Sequence, residues 1–492
     1  MIILYIYTLH LHFILILLIT HSKSNNKKLY VCFIDYEKAF DFANRPSISN
    51  HLMKKGCGKF LTSAITKTLL KSVYYPKITN NRLGEGIVSE YGVTQGRKTS
   101  SNLFSFYLSD MSTAFINTRY NDFMQPCDFT QLADDTAIYA EYIESLRSKC
   151  KEIFDYSDRK YQILNLKKTK YCEFSSNPTM EKLTIDEKTS IASVDTNQGY
   201  SYLGMTFIPT NDMKKIIEKN INKKLFNVAK FYGWLEINIT TPIEIKLRIL
   251  DNCMFSALLY GSETWGDFTY IYEKLRKIER KAIKAILKVK SGTTNDLVFH
   301  ELHRGDIVSK IKDRQCNFFK KISQLQYDDA IIKSIIEICK NDEILRYYAN
   351  LHNHNYIDDI KEREIRINTS NNSLAKYYVE MAFINRSCIY NSFLNDDLRG
   401  IITRWRLSNH CLKIETGRYI GIPRNERVCD TCDILEDEHH VIFVCTRYAE
   451  IRQRFANLIN KNNDIKLFLN PSFADCYETA TFLYEIEAIR DK

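Results

Sequence analysis

Glycine and proline are scarce in this sequence, 16 and 8 among 492 residues, and no Gly/Ser-rich or Pro-rich linker and no short-period repeat interrupts it. Modules on flexible tethers and solenoids are thereby excluded, and boundaries have to be read from motifs. Cysteine is plentiful, at 14, yet most of it lacks regular spacing. That argues against a disulfide framework and for a reduced intracellular protein. Charge of one sign is not in great excess either: the net value of +10 allows a polyanionic partner without demanding one. An apolar fraction of 45 % beside 26 % charged residues excludes wholesale disorder. Single cores stop growing at roughly 250–300 residues, so this length implies two to four compact domains.

The first twenty residues carry no charged side chain, and as a helix they are long enough to span a hydrocarbon core of about 30 Å. They lack the basic start and small-residue cleavage site of a signal peptide, and they contain His10 and His12. Residues 1–24 are therefore set apart as an apolar segment that reads as transmembrane by hydropathy. An accidental start of a truncated copy is preferred over a genuine anchor, and a membrane is not an expected partner.

From Lys28 to about Gly204 short apolar runs alternate with helical stretches, the pattern of an α+β domain. From about Asn211 to Leu345 helix dominates. Within that part Leu275, Ile278, Ala282, Ile286 and Val289 mark a packing stripe, while Lys274, Lys277, Lys281, Lys284 and Lys288 make another face basic. The polar stretch Arg366 to Ser373 reads as the best linker.

Residues Leu29 to Asp41, LYVCFIDYEKAFD, form a β-prone run that ends on Asp35 and passes into a charged, helix-prone stretch. FTQLADDTAIYAE reads as a hairpin, Phe129 to Ala133 and Thr136 to Ala140, with Asp134 and Asp135 at its tip. Adjacent aspartates repel unless a cation or water lies between them. Together with Asp35 they could hold two Mg²⁺ ions about 3.5–4 Å apart, which activate a 3′ hydroxyl and neutralise a leaving pyrophosphate. Between these sites lies YGVTQGRKTSSNLFSFYLSDM, Tyr91 to Met111. Its Gly92 and Gly96 permit close backbone approach, and its Gln95 can bond a base or sugar edge.

In order and spacing, FIDYEKAFD, GVTQGRKTSSNLFSFYLSDM and LADDTAIYAE resemble motifs A, B and C of reverse transcriptases, most nearly those of non-long-terminal-repeat, jockey-like retrotransposons. LNLKKTKYCEF (Leu164 to Phe174) resembles motif D, YSYLGMTF (Tyr200 to Phe207) motif E, and LLYGSETW (Leu258 to Trp265) the thumb-side region. Leu132 stands where the family more often has an aromatic residue. The resemblance implies an RNA-directed DNA polymerase with Asp35, Asp134 and Asp135 as metal-binding catalytic triad. It makes Phe40 the gate against a ribose 2′ hydroxyl, places Gln95 and Gly96 in the nucleotide pocket, and makes Lys168 the proton donor to pyrophosphate, with Lys167 and Lys170 also in reach. The implied fold is a right-hand polymerase palm of antiparallel sheet and helices over residues 25–210, then a helical thumb over 211–345. Template RNA, primer or target DNA and deoxynucleoside triphosphates are the implied partners, in a nuclear or cytoplasmic ribonucleoprotein. The family's fingers strands and upstream endonuclease do not fit into the 34 residues before Asp35.

Residues 346–492 form a C-terminal region with a small zinc-knuckle segment. Cys429, Cys432, His440 and Cys445, spaced C-x2-C-x7-H-x4-C, suit tetrahedral Zn²⁺, with His439 as the alternative nitrogen ligand. Arg418, Arg424, Arg427 and Arg447 are candidate phosphate contacts or solvated side chains. Two other readings stand beside the polymerase: an inactive remnant that binds nucleic acid through zinc, and a membrane-tethered protein.

Overall fold

The computed structural model describes residues 2–70, 73–79, 82–89, 91–93, 100–115, 127–325, 330–351, 356–369, 378, 388–390 and 394–490. Two compact units share the chain: Met1–Asn220 with Glu263–Asp267 and Asn317–His352, and Ile221–Ser262 with Phe268–Cys316 and Asn353–Lys492. Content is mixed α/β, with a largely antiparallel sheet in the first unit and many helices, so the α+β expectation holds at that level.

The sheet uses β1 (Leu29–Ile34), β6 (Phe129–Leu132), β7 (Asp135–Ala140), β8 (Lys170–Phe174), β9 (Leu183–Thr184) and β10 (Ser190–Ser193) in the order β6-β7-β1-β8-β10-β9. Its neighbours are antiparallel except β8 and β10. Four short strands, β2 (Val73–Tyr74) with β5 (Ile87–Val88) and β3 (Lys77–Thr79) with β4 (Arg82–Leu83), make two small ribbons, and β11 (Tyr200–Tyr202) pairs with β12 (Met205–Phe207).

Every residue of β1 is buried, which explains why LYVCFI is a continuous apolar run rather than an alternating one. Successive side chains point to opposite faces. Tyr30, Cys32 and Ile34 join Ile138, Ala140 and Tyr171 in a core closed by Leu146, Cys150, Ile153 and Tyr156 of the helix Ile143–Arg159. On the other face Phe33 stacks on Tyr200 at 4.6 Å and lies 5.2 Å from Tyr202.

The helix Ile2–Ser24 packs against β1, β6 and the helix Ala330–Cys339. Leu15, Ile16, Leu17, Leu18 and Ile19 are at most 1 % exposed. Phe13 sits edge-on to Phe318 and Tyr348 at 5.4 and 5.6 Å, and His12 Nε2 lies 3.1 Å from the Tyr202 carbonyl. The transmembrane reading of this segment is overturned: among the described residues no helix is long and apolar enough to cross a membrane. A helix apolar all round suits either lipid or a protein core, and here the first unit's core takes it.

In the second unit the helix Thr269–Leu287 buries Leu275, Ala282 and Ile286 as its stripe requires. Ile278 is only half-buried, and Glu279 is fully buried beside it. The Ile307 N–H donates to Glu279 Oε2 at 2.6 Å, Arg304 lies at 3.4 Å, and burial raises the carboxyl to about 7. Val289 falls outside the helix, which ends at Leu287 and is capped by Lys288 with φ of 55°. The stretch expected as a linker is helical as far as Thr369, within Tyr356–Thr369. Its Arg366 faces Asp296 and Glu362 at 3.7 and 4.0 Å, so its polar composition belongs to a helix surface; residues 370–373 lie outside the described ones.

Candidate active site and metal centre

Antiparallel pairing sets Ile34 opposite Thr136, and one further step brings Asp35 to the level of Asp135. Asp134 and Ala133 form the two-residue turn between β6 and β7. Ala133 adopts φ of 54°, a left-handed conformation that costs an L-residue roughly 1 kcal/mol or more. All three carboxylates thus gather where the central strands end.

Asp35 is held from behind. Its N–H donates to Thr169 Oγ1 at 3.1 Å, and its carbonyl accepts from the Asn165 N–H at 2.8 Å. Its Oδ2 is buried and has no hydrogen-bond partner. Burial pushes the Asp35 carboxyl up, the Lys168 charge pulls it down and Asp134 pushes it up again, with a net rise. Asp135 is open to solvent on its outer side, yet packing behind it, then Asp134, then Asp35 raise it to about 6. A buried oxygen without a donor, among carboxylates that resist ionisation, is a site that a divalent cation fits.

The folded-state pKa of Asp135 lies above the ordinary carboxylate value. The folded, metal-free chain therefore binds the extra proton, a contribution to stability present at low pH and lost as pH rises through about 6. Cation binding has the opposite slope, because the proton must leave. Mg²⁺ affinity, titrated calorimetrically, is expected to weaken roughly tenfold per unit as pH falls below 6. A flat profile would remove Asp135 from the ligand set.

Phe40 stacks on Phe104 at 4.9 Å, and its carbonyl accepts from the Val93 N–H at 2.8 Å. The Gly92 N–H donates to the Ala43 carbonyl at 2.8 Å, so the segment after Asp35 is tied to the start of the glycine-bounded loop. Gly92 has φ of +83°, and a Cβ there would lie 2.7 Å from Asp41 O and 2.8 Å from Phe40 O. Gly92→Ala is expected to cost roughly 2 kcal/mol or more and lower the midpoint of urea unfolding. An unchanged midpoint would mean this tie is loose. Gln95 and Gly96 lie outside the described residues.

Lys168 is exposed, and of the three candidate lysines it is the one whose charge acts on Asp35. Three contributors were not singled out by sequence: Asn165, whose N–H donates to the Asp35 carbonyl; Thr169; and Tyr200, whose hydroxyl is pushed up by burial and then by Asp35 and Asp135. All three lie inside the motif-D-like and motif-E-like strings, the signal that could have found them.

In the second unit the ligand atoms of Cys429, Cys432, His440 and Cys445 lie within 4.8 Å of one another. Cys445 Sγ is 3.6 Å from Cys429 Sγ and 3.7 Å from Cys432 Sγ. Two thiolates sharing a tetrahedral zinc at ~2.3 Å each would be ~3.8 Å apart. Both His440 ring nitrogens are buried without a hydrogen-bond partner, which a metal bond to one of them would relieve. His439 is exposed beside Phe443 and is not in the group.

The four arginines differ in use. Arg427 donates to the Ile422 and Ile414 carbonyls at 2.8 and 2.9 Å, so it braces the knuckle. Arg418 pairs with Glu415 at 2.9 Å, and Arg447 donates to the Ile489 carbonyl at 3.0 Å. Arg424 is exposed.

Residues 7–207 match the family model of the reverse transcriptase (RNA-dependent DNA polymerase). This stretch, about two fifths of the chain, is similar to a reverse transcriptase domain. A curated relative, the CRISPR-associated endoribonuclease Cas13a of Leptotrichia shahii, is 27 % identical over 212 residues, 42 % of this chain and 14 % of the relative. Among solved structures, apo telomerase from Candida tropicalis is similar at TM-score 0.29 and 12 % identity, over 65 % of this chain and 55 % of that one. Telomerase from Candida albicans with a telomeric RNA fragment reaches TM-score 0.23 and 12 % identity, over 66 % and 51 %. The chain spans about half the length of these telomerase chains and a small part of the Cas13a relative, and likenesses of this strength define no function.

Proposed function

We propose that this chain is the reverse transcriptase of a non-long-terminal-repeat retrotransposon, copying template RNA from a DNA primer by two-metal-ion nucleotidyl transfer. The observation that carries the reading is Asp35, whose buried Oδ2 lacks a donor while Asp134 and Asp135 lie beside it. The five ordered motifs and the C-terminal cysteine cluster favour the retrotransposon type. In this reading the carboxylate-bearing sheet is the palm and the helices that follow are the thumb.

Asp35, Asp134 and Asp135 would hold two Mg²⁺ ions, which supply charge neutralisation at the attacking 3′ hydroxyl and the leaving pyrophosphate. Lys168 stands near enough to Asp35 for its charge to be felt there, a position that suits protonation of pyrophosphate. Phe40, fixed by Phe104 and the Val93 N–H, is the side chain that a ribose 2′ hydroxyl would meet, and the resemblance assigns Gln95 and Gly96 to nucleotide binding. The cysteine cluster would hold Zn²⁺ and order a nucleic-acid-binding tail.

Mg²⁺-dependent deoxynucleotide incorporation on an RNA template tests the activity. In the same assay Phe40→Ala is expected to raise ribonucleotide use relative to deoxynucleotide by about 10–200-fold, the range a single steric contact supplies. Unchanged selectivity would dismiss Phe40 as the gate.

A further inference from the structure

Outside both sites described above, the first unit brings a third set of metal-ligating side chains together. His21, near the end of the helix Ile2–Ser24, meets Cys339 at the end of the helix Ala330–Cys339 and Asp342 just beyond it, with the three ligand atoms within 4.8 Å of one another. His21 Nδ1 lies 3.1 Å from Asp342 Oδ2, across 321 positions of sequence. Cys339 is wholly buried and Asp342 is 7 % exposed, while the His21 side chain reaches solvent at 15 %, so the group is closed on one side and open to an entering ion on the other.

Asp342 adds an independent observation. It occupies the N-cap of the helix Glu343–Asn350 with extended backbone, φ −74° and ψ 146°, yet its side chain makes no cap hydrogen bond. An aspartate so placed ordinarily accepts from its own helix, which stabilises by roughly 1 kcal/mol. Here its oxygens turn toward His21 and Cys339 instead.

We propose that His21, Cys339 and Asp342 form a second transition-metal site, for one Zn²⁺-class ion with the fourth position left to water. Sulfur, nitrogen and oxygen donors together select a borderline ion such as Zn²⁺ or Co²⁺ over Mg²⁺ and Ca²⁺, which take oxygen. Two ligands at a shared tetrahedral centre at ~2.0–2.1 Å stand ~3.4 Å apart, near the observed nitrogen–oxygen separation. On binding, the Cys339 S–H bond breaks and a sulfur–metal bond forms. The proton passes to buffer, and His21 binds as neutral imidazole. The ion would pin the N-terminal helix to the turn between the helices Ala330–Cys339 and Glu343–Asn350, locking into the first unit a helix whose apolar side chains are already its core. The site differs from the cysteine-rich cluster in having one thiolate, not three, and that difference makes it separable.

The test uses the full chain, stripped of metal and titrated with Zn²⁺ by calorimetry in buffers of different ionisation heat. Two classes of site are expected, one of them releasing about one thiol proton per ion. Zinc per chain, measured by elemental analysis after dialysis, should fall by one in both His21→Gln and Cys339→Ser, and the thiolate-to-cobalt absorption of the Co²⁺-loaded chain should lose its single-thiolate share in Cys339→Ser. An unchanged metal count in both variants would overturn the proposal. So would a parent titration without the one-thiol class, a result independent of how the variants fold.

Discussion

Chelating zinc, or replacing Cys445 by Ser, is expected to melt the packing around the C-terminal knuckle. Cys429, Cys445, Val441, Ile442 and Tyr448 belong to the buried core that also contains Trp405, Leu412, Phe468 and Phe482. Without an ion, three sulfurs and an imidazole with no hydrogen-bond partner for either nitrogen would have to stay together inside that core. Structural zinc contributes ~10–16 kcal/mol of apparent binding energy in isolated zinc-finger peptides. Even a third of this exceeds 3 kcal/mol, enough to lower a thermal midpoint by many degrees. Hydrogen exchange followed by mass spectrometry should show protection lost over residues 406–448 on chelation, with β1, β7 and β8 unaffected. Equal protection with and without chelator would mean that the cysteines pack as ordinary apolar side chains.

Asp35→Asn and Asp134→Asn are each expected to lower primer extension by a factor on the order of 10³, roughly 4 kcal/mol of barrier. The two changes are nearly isosteric, so folding should be retained. Asp35→Asn places an amide where a buried oxygen lacks a donor, and the cation-binding charge disappears with it. Asp134→Asn also removes one of the charges that hold Asp135 up, so its carboxyl should drop below about 6, a shift visible by carbon NMR of labelled aspartate. A Mn²⁺ titration followed by electron paramagnetic resonance should show fewer bound ions in either variant. Unchanged ion binding with lost activity would assign these residues to something other than metal binding.

The carboxylates were legible because a strand end and a hairpin tip are local features: LYVCFI and FTQL-AD-DTAIYA carry their strand pattern in a few residues each. What joins them, the β7–β1 register, is non-local and comes from the pairing of residues about a hundred positions apart. Lys168 could not be told from Lys167 and Lys170 by spacing; its nearness to Asp35 depends on the turn in which Asn165 bonds the Asp35 carbonyl. The apolar opening helix misled because lipid and core impose the same composition, and only its packing partners decide. Ile278 and Glu279 departed from the stripe because a buried carboxylate can be satisfied by Arg304 and a backbone N–H, partners that periodicity does not reveal. Composition could not show that Arg427 also braces two backbone carbonyls of its own segment.

The most direct measurement is primer extension by the purified full chain on an RNA template annealed to a DNA primer, with Mg²⁺ and four deoxynucleoside triphosphates, beside Asp134→Asn. Extension by the parent that disappears in the variant is the predicted result. No extension by a folded parent, or equal extension by both, would contradict the assignment of RNA-directed synthesis to this carboxylate site.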